Sequence, residues 1–412
     1  MKITIITHGL PNSHSEGANN DPILFFEYFE KNKIKYNLIS VWDHDYKTSS
    51  KSKNYQIKYL KNNFKNLKNI KVINYKKTLF EKILRFFLRI FSNKPYYFYG
   101  NHNVHKKIYR LLNDFNSKII LNFFELPASI FSKKNSKLKI FNYFGVYRKS
   151  VEILRIKNLL NSKNIFSFIK IINAIIYICR IEKVYDNFLI QAELNFCAAK
   201  DTYNKHKMKF SNMYFSGTLS TDRSHIKKRE EKIPIVLMIG ALTSTFMQDS
   251  VSLIANSADK LNKIYKKNKF KLRIVGKYKP SNKNLKKLNY PWVEFAGWVE
   301  SSEKEYAQAS FLFTPNSIAV GPRTKILEAA SAKVCIITTK ENINLSFTNF
   351  KNLQDMIIAK NMDEFCRGFE KVLISKKLKN KLIKSAKKKY NNYYSPSVIL
   401  KNNLRLIKKY SK

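Results

Sequence analysis

The feature that most constrains the fold is an alternation of short β-branched runs with longer helical patterns. In the second half of the chain the strand-like runs are IPIVLMIG (233–240), FKLRIVG (270–276), VEFAGWV (293–299), FLFTP (311–315) and VCIITT (334–339). Helical patterns lie between most of them, and the longest covers residues 249–267. Strands that alternate with helices predict a parallel sheet with helices on both faces.

The first half shows the same alternation. The strand KITIIT (2–7), the helical pattern PILFFEYFEKNK (22–33) and the strand YNLISVW (36–42) form one β-α-β unit. Further along, the helical patterns cover residues 79–93, 104–115 and 150–190. The strand-like runs there cover residues 118–124, 137–144 and 187–192. This half therefore also predicts a doubly wound parallel sheet.

The length of 412 residues exceeds what one hydrophobic core usually organises, so two domains are expected. A polar and charged segment at 211–234 is the predicted linker. We predict a first Rossmann-like domain at 1–220, a second at 221–385, and a closing helix at 386–412 that packs back on the first. Two such domains would leave a cleft between them, where the carboxyl ends of strands bind ligands.

The net charge of +48 has two explanations. A strongly basic chain attracts polyanions such as nucleic acid, an acidic membrane surface or phosphorylated substrates. Lys, Asn, Ile, Phe and Tyr are abundant together while Gly is scarce, which is typical of an AT-rich coding bias. The positive charge is spread over the whole chain, and the sequence contains no RNP aromatics, GxxG clamp or helix-turn-helix. We therefore expect no nucleic-acid partner.

The four cysteines, Cys179, Cys197, Cys335 and Cys366, lie far apart and include no C-x-x-C pair. Their spacing predicts neither a zinc site nor a disulfide framework, and it suits a reducing, cytoplasmic compartment. The N-terminus has no signal-peptide pattern. The most apolar segment, 165–181, is about 17 residues long and is interrupted by polar residues, whereas a membrane span needs about 20.

One stretch, VGPRTKILEAASAKVCIITT (320–339), carries chemistry as well as structure. Gly321 and Pro322 predict a helix start, because proline is tolerated at the first helical position. The amides at a helix N-terminus favour an anion such as phosphate. Arg323 and Lys325 add full positive charge at the same place.

Glu328 follows Lys325 by three residues, so both lie on one side of the helix about one turn apart. Its neighbours are apolar, and a carboxylate among them is costly unless it is bonded. A sugar diol offers two donors to it, so a phosphate at the helix start with a ribose one turn deeper would fit a nucleotide. The alternative is a Lys–Glu pair on a solvated face.

Gly240 and Gly276 end two strands, where glycine either lets a ligand approach the backbone or makes an ordinary turn.

The C-terminal half resembles the C-terminal domain of GT-B glycosyltransferases of family 4, the group 1 type, in the order MIGAL, LRIVGKY, VEFAGWV, YAQASFLFTPN and GPRTKILEAASAKVCIITT. The first strand and glycine loop of that family resemble KITIITHGLPNSHSEG. Its last N-domain helix and strand resemble ICRIEKVYDNFLIQAELNFCAAKDTY, and its closing helix resembles YYSPSVILKNNLRLI. The resemblance covers most of the chain, is specific in the C-terminal half and is loose between residues 45 and 180. It implies two Rossmann-like domains and transfer of a sugar from a nucleotide-sugar donor.

The resemblance also implies donor-binding residues, position by position. Glu328 matches the second Glu of the E-x7-E motif, which holds the nucleotide ribose. Lys325 and Arg323 fit a variant, G-x-(R/K)-x-K-I-L-E-A, whose basic residues lie close to the diphosphate. Gly17 matches the N-domain glycine loop, and Gly240 matches the glycine that opens the C-terminal domain. The remaining residues of the predicted donor site are Thr324, Gly321 and Gly276.

The sequence departs from the family pattern in several places. Val320 stands where the first Glu of the motif is usual, and Asp249 stands where a lysine is usual. Lys333 and Cys335 replace a Gly and a Pro, and FNYFGVY (141–147) lacks the His that often ends an N-domain strand. An alternative is therefore a degenerate relative that binds a sugar nucleotide without turnover.

The resemblance implies a retaining transfer with no metal ion and no other cofactor, since helix dipoles and basic side chains neutralise the leaving diphosphate. The nearest metal-like pattern, DHD at 43–45, is interpreted as an exposed loop.

No catalytic residue is assigned, but His8 and His14 flank the first-strand loop and are candidates. The other polar candidates of the first domain are Glu16, His102 and His105. A single loop histidine is more often an ordinary surface residue.

The expected partners are a nucleotide-sugar donor and a saccharide or lipid-linked acceptor of envelope polysaccharide synthesis, such as lipopolysaccharide or capsule. Two basic and apolar segments, 79–100 and 165–181, have the pattern of helices that lie on anionic lipid. They equally suit ordinary domain helices with Lys-rich outer faces. A peripheral position on the inner face of the cytoplasmic membrane is thus one of two alternatives. An epimerase of the same fold is disfavoured, because the sequence shows no matching set of acids.

Overall fold

The structure is a computed structural model, and it describes residues 2–11, 21–43, 53–75, 102–123, 138–144, 153, 156, 160, 166–242, 244–277, 287–317, 321–344, 347 and 349–412. The chain divides into two compact units. One comprises Met1–Leu219 and Ile399–Lys412, and the other comprises Ser220–Val398. The predicted closing segment started at residue 386, whereas the structure assigns residues 386–398 to the second unit.

The first unit is built on a parallel sheet of seven strands in the order β3-β2-β1-β4-β5-β6-β7. The strands are β1 (Ile3–His8), β2 (Tyr36–Asp43), β3 (Leu67–Tyr75), β4 (Ile119–Phe123), β5 (Lys139–Phe144), β6 (Leu194–Cys197) and β7 (Met213–Phe215). The helices are α1 (Asp21–Lys31), α2 (Lys53–Asn63), α3 (His102–Asp114), α4 (Phe166–Ile190) and α5 (Lys200–His206). The strand order reverses at β1, as in a Rossmann-like sheet.

The second unit is built on six parallel strands in the order β10-β9-β8-β11-β12-β13. The strands are β8 (Ile235–Ile239), β9 (Lys271–Val275), β10 (Val293–Gly297), β11 (Ala309–Thr314), β12 (Cys335–Thr339) and β13 (Ile357–Ala359). The helices are α6 (Thr245–Asn256), α7 (Ala258–Lys267), α8 (Ser302–Gln308), α9 (Thr324–Ser331), α10 (Lys340–Asn344), α11 (Met362–Ile374) and α12 (Lys376–Lys389). A short π-helix, Tyr390–Tyr394, follows, and α13 (Pro396–Tyr410) closes the chain.

Both sheets match the predicted fold class of two doubly wound parallel sheets. Strands β4, β8 and β12 are buried along their whole length, which explains their unbroken apolar runs, because parallel sheets are covered on both faces. Helix α1 contributes Phe25, Phe26 and Phe29 to the first core, and helix α13 contributes Ile399 and Leu404 to that same core.

Several boundaries differ from those predicted. The helical pattern at 249–267 forms two helices, because Ser257 adopts φ −108° and ψ 9° and interrupts the helical backbone. The strand predicted at 187–192 is wrong, since the chain remains helical to Ile190 and the strand follows at Leu194–Cys197. A short apolar run cannot by itself distinguish a buried helix end from a strand.

Three strands were missed or misplaced. Strand β3 lies in a Lys- and Asn-rich segment at the edge of its sheet, and β13 is only three residues long. Strand β7 lies inside the segment predicted as linker.

The predicted helix at 79–93 lies outside the described residues. None of the helices in the described part of the chain combines the length and the apolar character that a membrane span requires.

Candidate active site

The carboxyl ends of β8 and β9 meet through two glycines. A Cβ atom built on Gly276 would lie 1.8 Å from the carbonyl oxygen of Gly240, so a larger residue does not fit there. At Gly240, a Cβ atom would lie 2.9 Å from the Met247 side chain and 3.2 Å from Cε of Lys325. The structure therefore brings Gly240, Gly276 and Lys325 together at one edge of the second sheet.

Helix α9 starts beside this edge, later than the sequence suggested. Its first residue is Thr324, and Arg323 is the N-cap residue with φ −107° and ψ 67°. The predicted start at Gly321 and Pro322 is wrong, because Gly321 adopts a left-handed φ of 76° and turns the chain before the helix. The side chain of the N-cap residue Arg323 makes no capping hydrogen bond, so the first amides of the helix are available to an anion.

Two cationic side chains accompany the helix start. Lys325 is partly buried beside Gly240. The guanidinium carbon of Arg323 lies 4.8 Å from the centroid of the Phe246 ring, a cation–π distance. Thr324, between the two cations, is 8% exposed. The start of α9 therefore presents positive charge that packing holds in place.

Glu328 lies one turn into α9 and is only 9% exposed. This burial argues against the alternative of a Lys–Glu pair on a solvated face. Within the described residues, the cation at ion-pair distance is Arg223, whose Nε lies 3.8 Å from Oε2 of Glu328. That separation is longer than a hydrogen bond. The charge of the carboxylate is thus compensated, while its acceptor capacity is left for a hydroxyl group.

Arg223 is fixed by its other contacts. Its Nη1 lies 3.3 Å from Oε1 of Glu303, and its Nη2 donates to Oγ of Ser302 at 2.8 Å. Its backbone N–H donates to Oγ of Ser331 at 2.9 Å, and that hydroxyl donates to the carbonyl oxygen of Glu328 at 2.8 Å. Its Nε is buried and has no hydrogen-bond partner in the described part of the chain. A carboxylate and an N–H donor thus lie near each other with unused hydrogen-bonding capacity.

The unexpected acid at Asp249 holds the loop that leads to α9. It accepts hydrogen bonds from the backbone N–H of Ser317 at 2.8 Å, the hydroxyl of Ser317 at 2.7 Å and Nδ2 of Asn316 at 3.2 Å. Nδ2 of Asn316 also lies 3.0 Å from Oγ of Ser250. Asp249 is therefore engaged in loop structure. Val320, at the position of the first motif acid, lies outside the described residues.

The candidates of the first unit fall in different places. His8 ends β1 and is partly exposed, and the adjacent Gly9 donates its N–H to the carbonyl of Val41 at 2.8 Å. His105 is only 9% exposed on α3, so it occupies a packing position instead of a loop surface. His102 is the first residue of α3. The candidates that lie outside the described residues are His14, Glu16 and Gly17.

Two charged residues were missed by sequence reasoning. Arg223 lies in a polar segment where neither periodicity nor a motif marks it. Asp21 is the first residue of α1 and is 5% exposed, and burial raises its pKa well above the ordinary value. Burial and the Asp21 charge also raise the pKa of Tyr143. The one sequence signal for Asp21 was its place just before Pro22, at the end of the glycine loop.

A family of known proteins matches the second unit. Residues 233–374 match the family described as Glycosyl transferases group 1. This range contains Gly240, Gly276 and the whole of α9, so it includes the described candidate site except Arg223. No curated protein sequence matches the chain significantly.

Solved structures match the whole chain. A glycosyltransferase from Rickettsia africae has a TM-score of 0.65 at 14% identity, over 100% of this chain and 98% of its own. HepE from Anabaena, solved in complex with UDP, has a TM-score of 0.65 at 8% identity, over 99% of this chain and 100% of its own. WaaG, a glycosyltransferase involved in lipopolysaccharide biosynthesis, has a TM-score of 0.56 at 12% identity, over 97% and 99%. At these identities the likeness establishes the fold.

Proposed function

We propose that this chain is a glycosyltransferase of group 1 type that moves a sugar from a nucleotide-sugar donor to a saccharide or lipid-linked acceptor, because residues 233–374 match that family and the chain has the GT-B fold of solved glycosyltransferases. The observation that carries the proposal is the buried carboxylate of Glu328, one turn into a helix whose start carries Arg323 and Lys325. Since HepE was solved with UDP, UDP is the first nucleotide to test.

Each part of such a donor has a chemical counterpart at this edge of the second sheet. The hydroxyls of the ribose donate to Glu328 and satisfy a buried carboxylate that has no hydrogen-bond donor among the described residues. The diphosphate is attracted by Lys325, Arg323 and the uncapped amides of α9. Gly240 and Gly276 keep the strand ends free of side chains, so the donor can approach the backbone.

The reaction that we propose retains the configuration of the anomeric carbon. The bond between this carbon and the β-phosphate oxygen breaks, while the acceptor hydroxyl attacks from the same face. The nucleoside diphosphate leaves with the bonding electrons, and one of its phosphate oxygens takes the proton of the hydroxyl. Lys325 and Arg323 stabilise the negative charge that develops on the leaving group, so the scheme requires no metal ion.

The acceptor belongs, in this proposal, to cell-envelope polysaccharide synthesis at the inner face of the cytoplasmic membrane. The role of WaaG in lipopolysaccharide biosynthesis supports this assignment. The net charge of +48 supports it as well, because a basic protein associates with anionic lipid and with phosphorylated acceptors. In the first unit, His8 and Asp21 are the described candidates for contact with the acceptor.

Asp249 favours a second candidate function, a protein that binds the sugar nucleotide without turning it over. It stands where the family usually has a lysine, and its carboxylate is engaged by Ser317 and Asn316. A missing positive charge near the diphosphate would weaken stabilisation of the leaving group more than it weakens binding.

A panel of nucleotide sugars separates the two functions. The full chain is incubated with UDP-, GDP- and ADP-sugars and an oligosaccharide acceptor in the presence of EDTA, and the released nucleoside diphosphate is measured. We expect release from one donor class and a loss of about 100-fold in Glu328→Ala, with a cooperative thermal unfolding transition that shows the variant to be folded. Binding without release would support the second function, and absence of binding to every nucleotide would contradict both. Release that requires a divalent ion would overturn only the metal-free scheme.

A further inference from the structure

One face of helix α4 (Phe166–Ile190) exposes large apolar side chains. Phe168 is 66% exposed, Ile172 38%, Ile175 48% and Ile190 51%, and Cys179 is also exposed. These residues follow the spacing i, i+4, i+7, i+11 and i+22, which keeps them on a single helical face. Its apolar run from Phe168 to Cys179 is about 17 Å long at 1.5 Å per residue, and Ile190 follows beyond Asp186 on the same side of the helix. We call it the apolar face of α4.

The rest of the helix shows that this exposure is not a failure to pack. Ala174 is 3% exposed and Leu189 is 0% exposed, and by helical periodicity both lie off the apolar face. Helix α4 therefore packs on its own unit through one side and displays apolar residues on another. The exposed apolar run from Phe168 to Cys179 marks a place where something binds.

A basic turn is tied to the same face. Asp186 follows Phe168 by 18 residues, or five helical turns, and therefore lies on the same side of α4. It forms an ion pair with Lys209, which follows α5. Nδ2 of Asn212 donates to the carbonyl oxygens of Leu189 and Ala192 at 2.8 and 2.7 Å, so the turn is anchored to the end of α4. The turn therefore lies beside the C-terminal part of the apolar face.

The exposed residues of this turn include both lysines and a large apolar side chain. Met208 is 87% exposed, and Lys207 and Lys209 flank it in sequence. Lys205 is exposed on the same short segment. Lysines beside an apolar helical face place ammonium groups where lipid phosphates lie, while the face itself enters the acyl boundary.

We propose that the apolar face of α4 and the turn around Met208 bind the surface of an anionic lipid bilayer, with α4 parallel to the membrane plane. An anionic bilayer fits better than a protein partner, because Lys205 and Lys207 place positive charge where a bilayer presents a sheet of phosphates. This surface is the one by which the protein would be held at the membrane in the proposed function. Lipid binding does not depend on sugar transfer, so vesicle binding and catalysis can fail separately.

Cys179 offers a probe at the centre of the face, since it is exposed while Cys197, Cys335 and Cys366 are buried. The full chain is labelled there with an environment-sensitive fluorophore and mixed with vesicles of phosphatidylcholine alone or with 40 mol% phosphatidylglycerol. We expect a blue shift with the anionic vesicles and none with the neutral ones. A Cys179→Ser, Lys360→Cys variant, labelled on the exposed surface of the second unit, should show no shift.

Two matched variants test the face itself by vesicle sedimentation. Ile172→Asp should lower binding to the anionic vesicles at least tenfold, whereas Ile374→Asp, at a 64% exposed site on α11, should not. The melting temperature should be the same in both variants, which shows that each is folded. Equal sedimentation of the two variants, or no shift of the Cys179 label, would overturn the proposal. A blue shift without vesicles that grows with protein concentration would assign the face to a second copy of the chain and would also overturn it.

Discussion

At the scale of single residues, the candidate donor site depends on two charges brought together from distant parts of the sequence. Glu328 comes from α9 and Arg223 from the segment that precedes β8, and both side chains are largely buried. Their 3.8 Å separation compensates charge without a direct hydrogen bond. A buried carboxylate tolerates this arrangement only while its cationic partner is present.

This dependence predicts non-additive stability. Arg223→Ala should destabilise the protein because it leaves the Glu328 charge buried and uncompensated, whereas Arg223→Ala with Glu328→Gln should recover part of the loss. We expect a coupling of about 1–3 kcal/mol in a double-mutant cycle followed by thermal unfolding. The control cycle uses Arg229, an exposed arginine of the same segment, which should be additive with Glu328→Gln. Additivity in both cycles would contradict the pairing.

The raised pKa of Asp21 predicts a pH dependence of stability. Between about pH 4 and its raised folded-state pKa, Asp21 loses its proton more readily in the unfolded chain, so stability falls as pH rises through this range. Asp21→Asn removes that term. The melting temperature of Asp21→Asn relative to the wild type should therefore increase from pH 4.5 to pH 8. A difference that does not change with pH would show that Asp21 is not a buried neutral acid.

The two kinds of site residue differ in how far sequence could reveal them. Glu328 was detectable because a carboxylate inside an apolar helical run requires a partner, and its burial agrees with that reasoning. Arg223 was not detectable, since its role depends on a contact with a residue 105 positions away, which no local pattern encodes. The burial of Asp21 likewise follows from packing, which the sequence alone does not specify.

At the scale of elements, the end of α9 shows how the chain tolerates an unusual residue. The N–H of Val334 donates to the carbonyl of Ala329 at 2.9 Å and that of Lys333 to Ala330 at 3.4 Å, which is the Schellman pattern of a helix end. Lys333 has a left-handed φ of 57°, the conformation that glycine normally supplies at this position. Lys333, which replaces the glycine of the family pattern, thus occupies a strained backbone position.

Replacing this lysine by the usual residue should stabilise the protein. Lys333→Gly relieves a left-handed conformation that costs a side-chain-bearing residue about 1–2 kcal/mol, so we expect a gain of about 1 kcal/mol and a higher melting temperature. Lys384→Gly is the matched control, because Lys384 is an exposed residue inside α12. The control should lose about 1 kcal/mol. A destabilised Lys333→Gly would contradict the strain.

The elements themselves were predictable where burial is strong and not where it is weak. Runs such as IVLMI in β8 and CIITT in β12 are buried throughout and stand out as strands. The edge strand β3 alternates apolar with Lys and Asn residues, so its pattern resembles a polar segment. The start of α9 was displaced because the left-handed turn at Gly321 is a backbone choice that glycine permits but does not impose.

At the scale of the whole molecule, two parallel sheets and the family match over residues 233–374 support one account. The second unit holds the candidate donor site, and the first unit holds His8, Asp21 and the apolar face of α4. In this arrangement, part of the net charge of +48 attracts phosphates, both of the donor and of lipid. The proposed function depends on binding of the nucleotide's sugar by the carboxylate of Glu328.

The most direct test of this claim is isothermal titration calorimetry of UDP, or of another nucleoside diphosphate that the donor panel selects, against Glu328→Gln. The substitution keeps the shape of the side chain but removes the carboxylate, so we expect at least a tenfold weaker Kd in a variant that still unfolds cooperatively. Glu303→Gln removes a more exposed carboxylate from the same guanidinium and should change the Kd less than twofold. Wild-type affinity in Glu328→Gln would contradict the account.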